Sequence, residues 1–276
     1  MYNIVQEATM VTVEHENFIE KSLNIFKSDN RFIGVAAAGS YITKDMDEYS
    51  DIDLVIAVKP ESFKEIMSER FEIAEKLGHL LSAFTGEHVG EPRLLICLYS
   101  NPLLHVDLKF VSLEDIAYRV EEFEILWQRD SLLTKKFKEV EAKFPNPSLQ
   151  WIEDRFWVWI HYGAGKIGRG EIFETIEFIS FLRQKVIGPL ILMHKGLQPR
   201  GVRKIEINAP EFLDELKKTI AFHDRRSCCE AIKVIIALYK ELREIHRFDG
   251  FVFRSKTEIL ALEYFQYIAL KEDNAH

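Results

Sequence analysis

Apolar positions along the first hundred residues alternate between two rhythms. Residues 13–27 repeat them at Phe18, Ile19, Leu23 and Phe26, the spacing of one helical face. Residues 32–38 form a short unbroken apolar run ending at Gly39-Ser40, and residues 52–58 form another; both read as buried strands. Pro60 opens a helical pattern as a first-turn proline, with Phe63, Ile66, Phe71, Ile73 and Leu77 along it and Gly78 at its stop. Strands are predicted over 79–84, 94–99 and 103–111, the last two joined through Ser100-Asn101-Pro102 as an antiparallel hairpin.

After Ser112 the rhythm turns helical and stays so. Ser112 followed three residues later by Asp115 reads as an acidic variant of a capping box. Helices are predicted over 113–129, 132–144, 148–167, 171–194, 210–223, 228–246 and 256–271, with breakers at Pro145 and Pro147, Gly168 and Gly170, Gly196 and Pro199, and Gly250. The expected architecture is α+β. A small mixed sheet flanked by helices occupies residues 1–112, and an all-helical domain occupies 113–276.

Composition narrows the class. A hydrophobic fraction of 47% with 20 Phe supplies a core, and 276 residues lie between one large domain and two ordinary ones. The longest apolar run, 186–193, is broken by Gly188-Pro189 and is too short to span a bilayer. Residues 1–18 lack the basic flank and apolar block of a secretory signal. Three cysteines, two of them adjacent at Cys228-Cys229, argue against a disulfide framework and for a cytoplasmic location. The net charge of −8 has the wrong sign for displacing phosphate counterions, so nucleic acid is disfavoured and a cationic small molecule fits better.

Against that background Asp51 and Asp53 stand out, because aspartate is depleted from strands. Side chains two apart on a strand share a face about 6–7 Å from one another. Two such carboxylates repel, and a divalent cation removes the conflict; Mg2+ prefers one or two carboxylates plus phosphate oxygens. Gly39 lacks a Cβ where a phosphate would approach the backbone, and Ser40 offers a hydroxyl where a helix would begin. Asp107, in the apolar run "LLHVDLKFV", is the expected third carboxylate. Together these point to a nucleoside triphosphate on a two-metal site, one metal activating a hydroxyl and the other steadying the leaving pyrophosphate.

On these residues the sequence resembles the DNA polymerase beta-like nucleotidyltransferase superfamily: a small hydrophobic residue, Gly-Ser, ten residues, then Asp-x-Asp, here "AGSYITKDMDEYSDIDL". Its length, its helical C-terminal half and the segments "YGAGKIGRGEIFETIEFISFLR" and "RGVRKIE" look like the aminoglycoside and lincosamide nucleotidyltransferases. The resemblance implies transfer of AMP from ATP to a hydroxyl of a small acceptor, bound between the two domains. It implies Mg2+ on Asp51 and Asp53, with Asp107 as third ligand or base and Glu87 and Glu91 as rivals for that place. It implies the triphosphate on Gly39 and Ser40, with Lys166 reaching to it.

Other candidates have plainer readings beside the chemical ones. Lys166 and Arg169 suit a phosphate or a helix C-terminus, and Glu171 and Glu174 an acceptor base or amine site, or a helix start. His105 shares a strand face with Asp107. Trp151, Phe156, Trp157 and Trp159 occupy nearly every side of one helix and mostly suggest packing. "KKFKEVEAK" reads as a solvated face, and Cys228-Cys229 lacks partners at zinc spacing. Two other functions stay open: the same chemistry on a protein or RNA acceptor, and a non-catalytic nucleotide-binding module.

Overall fold

The computed structural model describes residues 2–44 and 46–271, with side chains from residue 13 onward. The chain divides into two compact units, Met1–Phe144 and Pro145–His276.

Unit 1 is a six-stranded mixed sheet with helices. Its elements are α1 (Tyr2–Ser28), β1 (Phe32–Ala37), α2 (Ser40–Thr43), β2 (Ile52–Val58), α3 (Phe63–Leu77), β3 (His79–Gly86), β4 (Glu91–Ser100), β5 (Leu104–Ser112), β6 (Glu124–Gln128) and α4 (Leu132–Phe137). The strand order is β3-β4-β5-β2-β1-β6. β2 and β5 run parallel, and the other neighbouring pairs are antiparallel. The 94–99 and 103–111 strands form the hairpin expected of them.

Alternation along the strands sorts the side chains onto two faces. Leu54, Ile56, Val106, Leu108 and Phe110 form one core with Phe18 and Phe26 of α1 and Ile66, Ile73 and Leu77 of α3. Val55, Ala57, Ala36 and Val111 form a smaller core on the other side, closed by Ile116 and Leu133. The carboxylates of interest lie in this second phase, beyond the end of its core.

The segment after Ser112 departs from expectation. Residues 113–117 are turns and 118–123 irregular chain rather than a helix, and 124–128 form β6, paired with β1. The reason lies in β1, all six of whose residues are buried. A buried strand cannot leave one edge unpaired, because each orphaned backbone group costs free energy. β6 supplies those bonds, a non-local requirement that the helical rhythm of 113–129 does not display. The capping-box pair becomes a turn, with Asp115 N and Ile116 N both donating to Ser112 O. Helix α4 stops at Phe137, short of the predicted 144. Buried Arg119 organises the irregular stretch by donating to the carbonyls of Ala117, Phe137 and Val140. Unit 1 therefore runs on past residue 112 to Phe144.

Unit 2 is helical: α5 (Leu149–Gly168), α6 (Ile172–Leu182), α7 (Gly188–His194), α8 (Ile205–Asn208), α9 (Leu213–Lys218), α10 (Arg225–His246) and α11 (Ser255–Leu270). Ser148 caps α5 by accepting from Trp151 N. The predicted 171–194 helix is continuous but passes through a π turn at Arg183–Ile187. Pro189 has no N–H to offer the preceding turn, which accounts for the local widening. The predicted 210–223 helix shortens to a 3-10 turn and α9. All three cysteines are buried and free. No described helix is long and apolar enough to cross a membrane.

Candidate active site

Three backbone facts build the site in unit 1. First, the parallel register of β2 and β5 sets Asp53 opposite Asp107, where neighbouring strands lie about 4.8 Å apart. Second, Asp51 immediately precedes β2, two residues from Asp53, and is near enough to Asp107 to act on its charge. Third, β1 ends beside β2, with Ala38 N donating to Asp53 O at 3.0 Å. Next in the chain is Gly39, with φ 62° and ψ −137°, a conformation reserved for glycine. A Cβ there would stand 2.2 Å from Asp53 Oδ2. In this structure the missing Cβ makes room for the Asp53 carboxylate itself, where the sequence reading had placed a phosphate.

The loop between Gly39 and Asp51 is fastened at both ends. Helix α2 begins at Ser40 but has only four residues. Asp47 and Ser50 close a tight turn, with Asp47 N donating to Ser50 Oγ at 2.9 Å. Buried His15 of α1 donates from Nε2 to Ser50 O at 3.0 Å, directly before Asp51. No motif flags His15 in the sequence; its helical position is its sole signal.

The electrostatics of Asp107 are adverse to its charge. Burial pushes its carboxyl above the ordinary value, the Asp51 carboxylate adds to this, and His105 opposes it. His105 Nε2 lies 3.1 Å from Asp107 Oδ1. Glu91, a rival for the third place, is in the opposite condition. Arg93 and Lys109 hold it from two sides at 2.7 and 2.8 Å, and its carboxyl falls to about 2. Glu87 is exposed and takes a hydrogen bond from Thr85 Oγ1. Neither faces Asp53 in the register.

The remaining predicted residues lie in unit 2. Lys166 is ion-paired to Glu171 at 2.5 Å and to Glu174, which hold its ammonium well above the usual value. All three thus engage one another. Arg169 stays exposed, 4.0 Å from Glu171.

Asp51, Asp53 and Asp107 offer hard oxygen donors, the chemistry that suits Mg2+. Among the described residues, no three His, Cys, Asp or Glu side chains are gathered into a preformed cation cage. The backbone register sets Asp53 beside Asp107.

Residues 19–99 match the family description "Nucleotidyltransferase domain". Unit 1 carries a nucleotidyltransferase domain. The match includes Gly39, Ser40, Asp51 and Asp53, while Asp107 lies beyond it. By this domain the protein is a nucleotidyltransferase enzyme, as its Gly-Ser and Asp-x-Asp residues suggested.

Among solved structures, the chain is similar to an aminoglycoside 6-adenyltransferase from Bacillus subtilis, at 14% identity and TM-score 0.40, covering 92% of this chain and 98% of that one. It is also similar to a nucleotidyltransferase-like protein from Exiguobacterium sibiricum, at 13% identity and TM-score 0.37, covering 97% and 96%. A c-di-GMP synthase from Capnocytophaga granulosa matches at 13% identity and TM-score 0.32, covering 85% and 82%. No curated protein sequence matches the chain.

Proposed function

We propose that the nucleotidyltransferase domain moves AMP from ATP to a hydroxyl of a small, cationic, polyhydroxylated acceptor of the aminoglycoside or lincosamide type, releasing pyrophosphate. The observation that carries this reading is the register of Asp53 against Asp107, with Asp51 close to both in chain or in field. The acid surplus of the chain favours a cationic acceptor over a polyanion.

Asp51, Asp53 and Asp107 would hold Mg2+, which when bound supplies charge neutralisation at the triphosphate and lowers the pKa of the attacking hydroxyl. Gly39 lets Asp53 lie against the turn, and Ser40 presents its hydroxyl to the phosphates. In the other role open to it, Asp107 takes the acceptor proton in place of holding the metal. The acceptor oxygen forms its bond to the α-phosphorus as the bond to pyrophosphate breaks. What the residues contribute is position and charge placement.

The test is a pyrophosphate-release assay with MgATP against aminoglycosides, lincosamides and hydroxylated metabolites. Asp53→Asn is expected to lower turnover by about a thousandfold, with secondary structure unchanged by circular dichroism. A double variant, Asp51→Asn with Asp53→Asn, that still transferred AMP would defeat the proposal.

A further inference from the structure

The apolar residues of β4 divide between the two faces of the sheet. Leu95, Cys97 and Tyr99 are buried in the core that α1 and α3 close. Their alternates Leu94, Ile96 and Leu98 take the opposite face, which is the face of Asp107. Ile96 stands opposite Asp107 on one side and opposite Phe84 of β3 on the other. Asp107 in turn stands opposite Asp53. Phe84, Ile96, Asp107 and Asp53 thus form one row across four strands, with about 4.8 Å between neighbouring strands. A second row beside it runs Ser82, Leu98, His105.

The apolar end of these rows is open. Phe84 is 51% exposed and Leu98 39%, and Leu94 and Ile96 are half-buried. Neither core of unit 1 takes in any of the four. Ile116 and Leu133 cover this face over Val55, Ala57 and Val111, and their core includes no residue of β3 or β4. Single apolar side chains on a surface need no explanation, but a contiguous patch running up to paired acids is a binding surface. The strand order says which reactant it receives. From β3 the order runs β4, β5, β2, β1, and Gly39-Ser40 follow β1. The acids of β5 and β2 therefore lie between the apolar patch and Gly39-Ser40. With pyrophosphate leaving toward Gly39-Ser40, in-line attack on the α-phosphorus brings the acceptor hydroxyl from the β4 side. The patch lies on the acceptor's side of the acids.

We propose that, in the AMP transfer on which this inference rests, Phe84, Ile96 and Leu98 seat an apolar group of the acceptor. They thereby select a lincosamide-type acceptor over an aminoglycoside. A lincosamide joins a hydroxylated sugar to an alkylated proline, whereas an aminoglycoside is polar and cationic throughout and has nothing to lay on Phe84. The apolar group lies about 5–10 Å from the reacting hydroxyl, one to two strands along the row from Asp107.

The probes are lincomycin and methylthiolincosamide, which is the same sugar without the alkylated proline. Pyrophosphate release by the full chain with MgATP is expected to show kcat/KM at least about tenfold higher for lincomycin. Phe84→Thr with Leu98→Thr keeps β-branched residues at these exposed strand positions. The pair should cut the preference to less than about threefold, through a raised KM for lincomycin, while KM for MgATP moves less than about twofold. Calorimetry should show the same loss of lincomycin affinity without turnover. The inference is overturned, with AMP transfer left standing, if the wild type treats the two probes alike or prefers aminoglycosides. It is equally overturned if the double variant keeps the wild-type preference, or if KM for MgATP rises instead, which would give the patch to adenine. Should the double variant fail to fold, Phe84→Thr alone is read in its place. If no acceptor draws pyrophosphate from the wild type, the transfer reading fails, and this inference falls with it.

Discussion

Glu153 of unit 2 and Asp107 of unit 1 show two opposite treatments of an acid inside a protein. Glu153 is fully buried, and every side of its carboxylate is met. Tyr239 donates at 2.7 Å, Trp157 at 3.2 Å and Arg254 N at 2.9 Å, while Arg243 donates to both oxygens at 3.3 Å. Arg243 continues to Glu258, which Lys240 also pairs. Asp107 has a histidine beside it and a second carboxylate in its field, and its pKa rises. A buried charge matched by the chain's own cations holds a fold together. One that faces another acid instead is costly to ionise, as the raised pKa of Asp107 records.

The sharpest way to break this contrast is to treat Glu153 as Asp107 is treated. Arg243→Met removes the guanidinium and leaves a desolvated carboxylate, an arrangement that costs about 3–5 kcal/mol. Urea unfolding of the full chain, followed by tryptophan fluorescence, is expected to show a loss of that order. Adding Glu153→Gln should restore much of it, because the pair acts as a unit. A loss below about 1 kcal/mol would mean that the network is not structural.

The converse experiment removes the unfavourable charge at Asp107. Its folded pKa lies above the ordinary 3.8, so the folded state binds this proton more tightly than the unfolded chain. Stability from this group is therefore highest at low pH, and it is lost as pH rises through the folded pKa. At neutral pH the ionised Asp107 is a net cost. Asp107→Asn should then raise stability at pH 7 by about 0.5–1 kcal/mol, discounted for its partial exposure, with the gain fading toward acid. Thermal melts with and without Mg2+ supply the check: the metal should stabilise the wild type more than the variant. An Asn variant less stable than the wild type at pH 7 would undo the comparison.

How much of this was readable beforehand depends on the range of each interaction. The Gly-Ser and Asp-x-Asp residues, the strands at 32–38 and 52–58, and the capped α5 are written in neighbouring residues, and local rhythm exposes them. The route of 113–144 is not. Residues 124–128 become a strand because buried β1 needs a partner on its free edge, a need recorded some ninety positions earlier in the chain. Asp107 could be singled out as an acid in an apolar run. That it stands beside Asp53 follows from the parallel pairing of β2 with β5, which no spacing reveals. Gly39 was legible as special, yet the atom that fills its missing Cβ belongs to Asp53, fourteen residues on. The ion pairs of Lys166 with Glu171 and Glu174 were not legible, because those acids read equally well as helix-start residues.

The smallest expected effect tests the contrast within a single strand. Lys109 follows Asp107 by two positions and shares its strand face, about 6–7 Å away, yet its ammonium goes to Glu91. Glu91, paired also with Arg93, has its carboxyl drawn down from the ordinary 4.5 to about 2. A depressed acid contributes stability that is fully present above its unfolded pKa and is lost as pH falls through the folded value. Glu91→Gln should therefore lower stability at pH 7 by about 0.5 kcal/mol, given the solvent around these groups, and the two stability curves should meet as pH approaches 2. The variant also releases Lys109, leaving its ammonium free to favour the Asp107 carboxylate from two positions away. NMR titration should then find the Asp107 pKa lower than in the wild type, and Mg2+ should stabilise the variant less. If Glu91→Gln leaves the Asp107 pKa unchanged, Glu91 and Lys109 do not keep a cation away from the site, and the unmatched charge of Asp107 owes its character to burial and Asp51 alone.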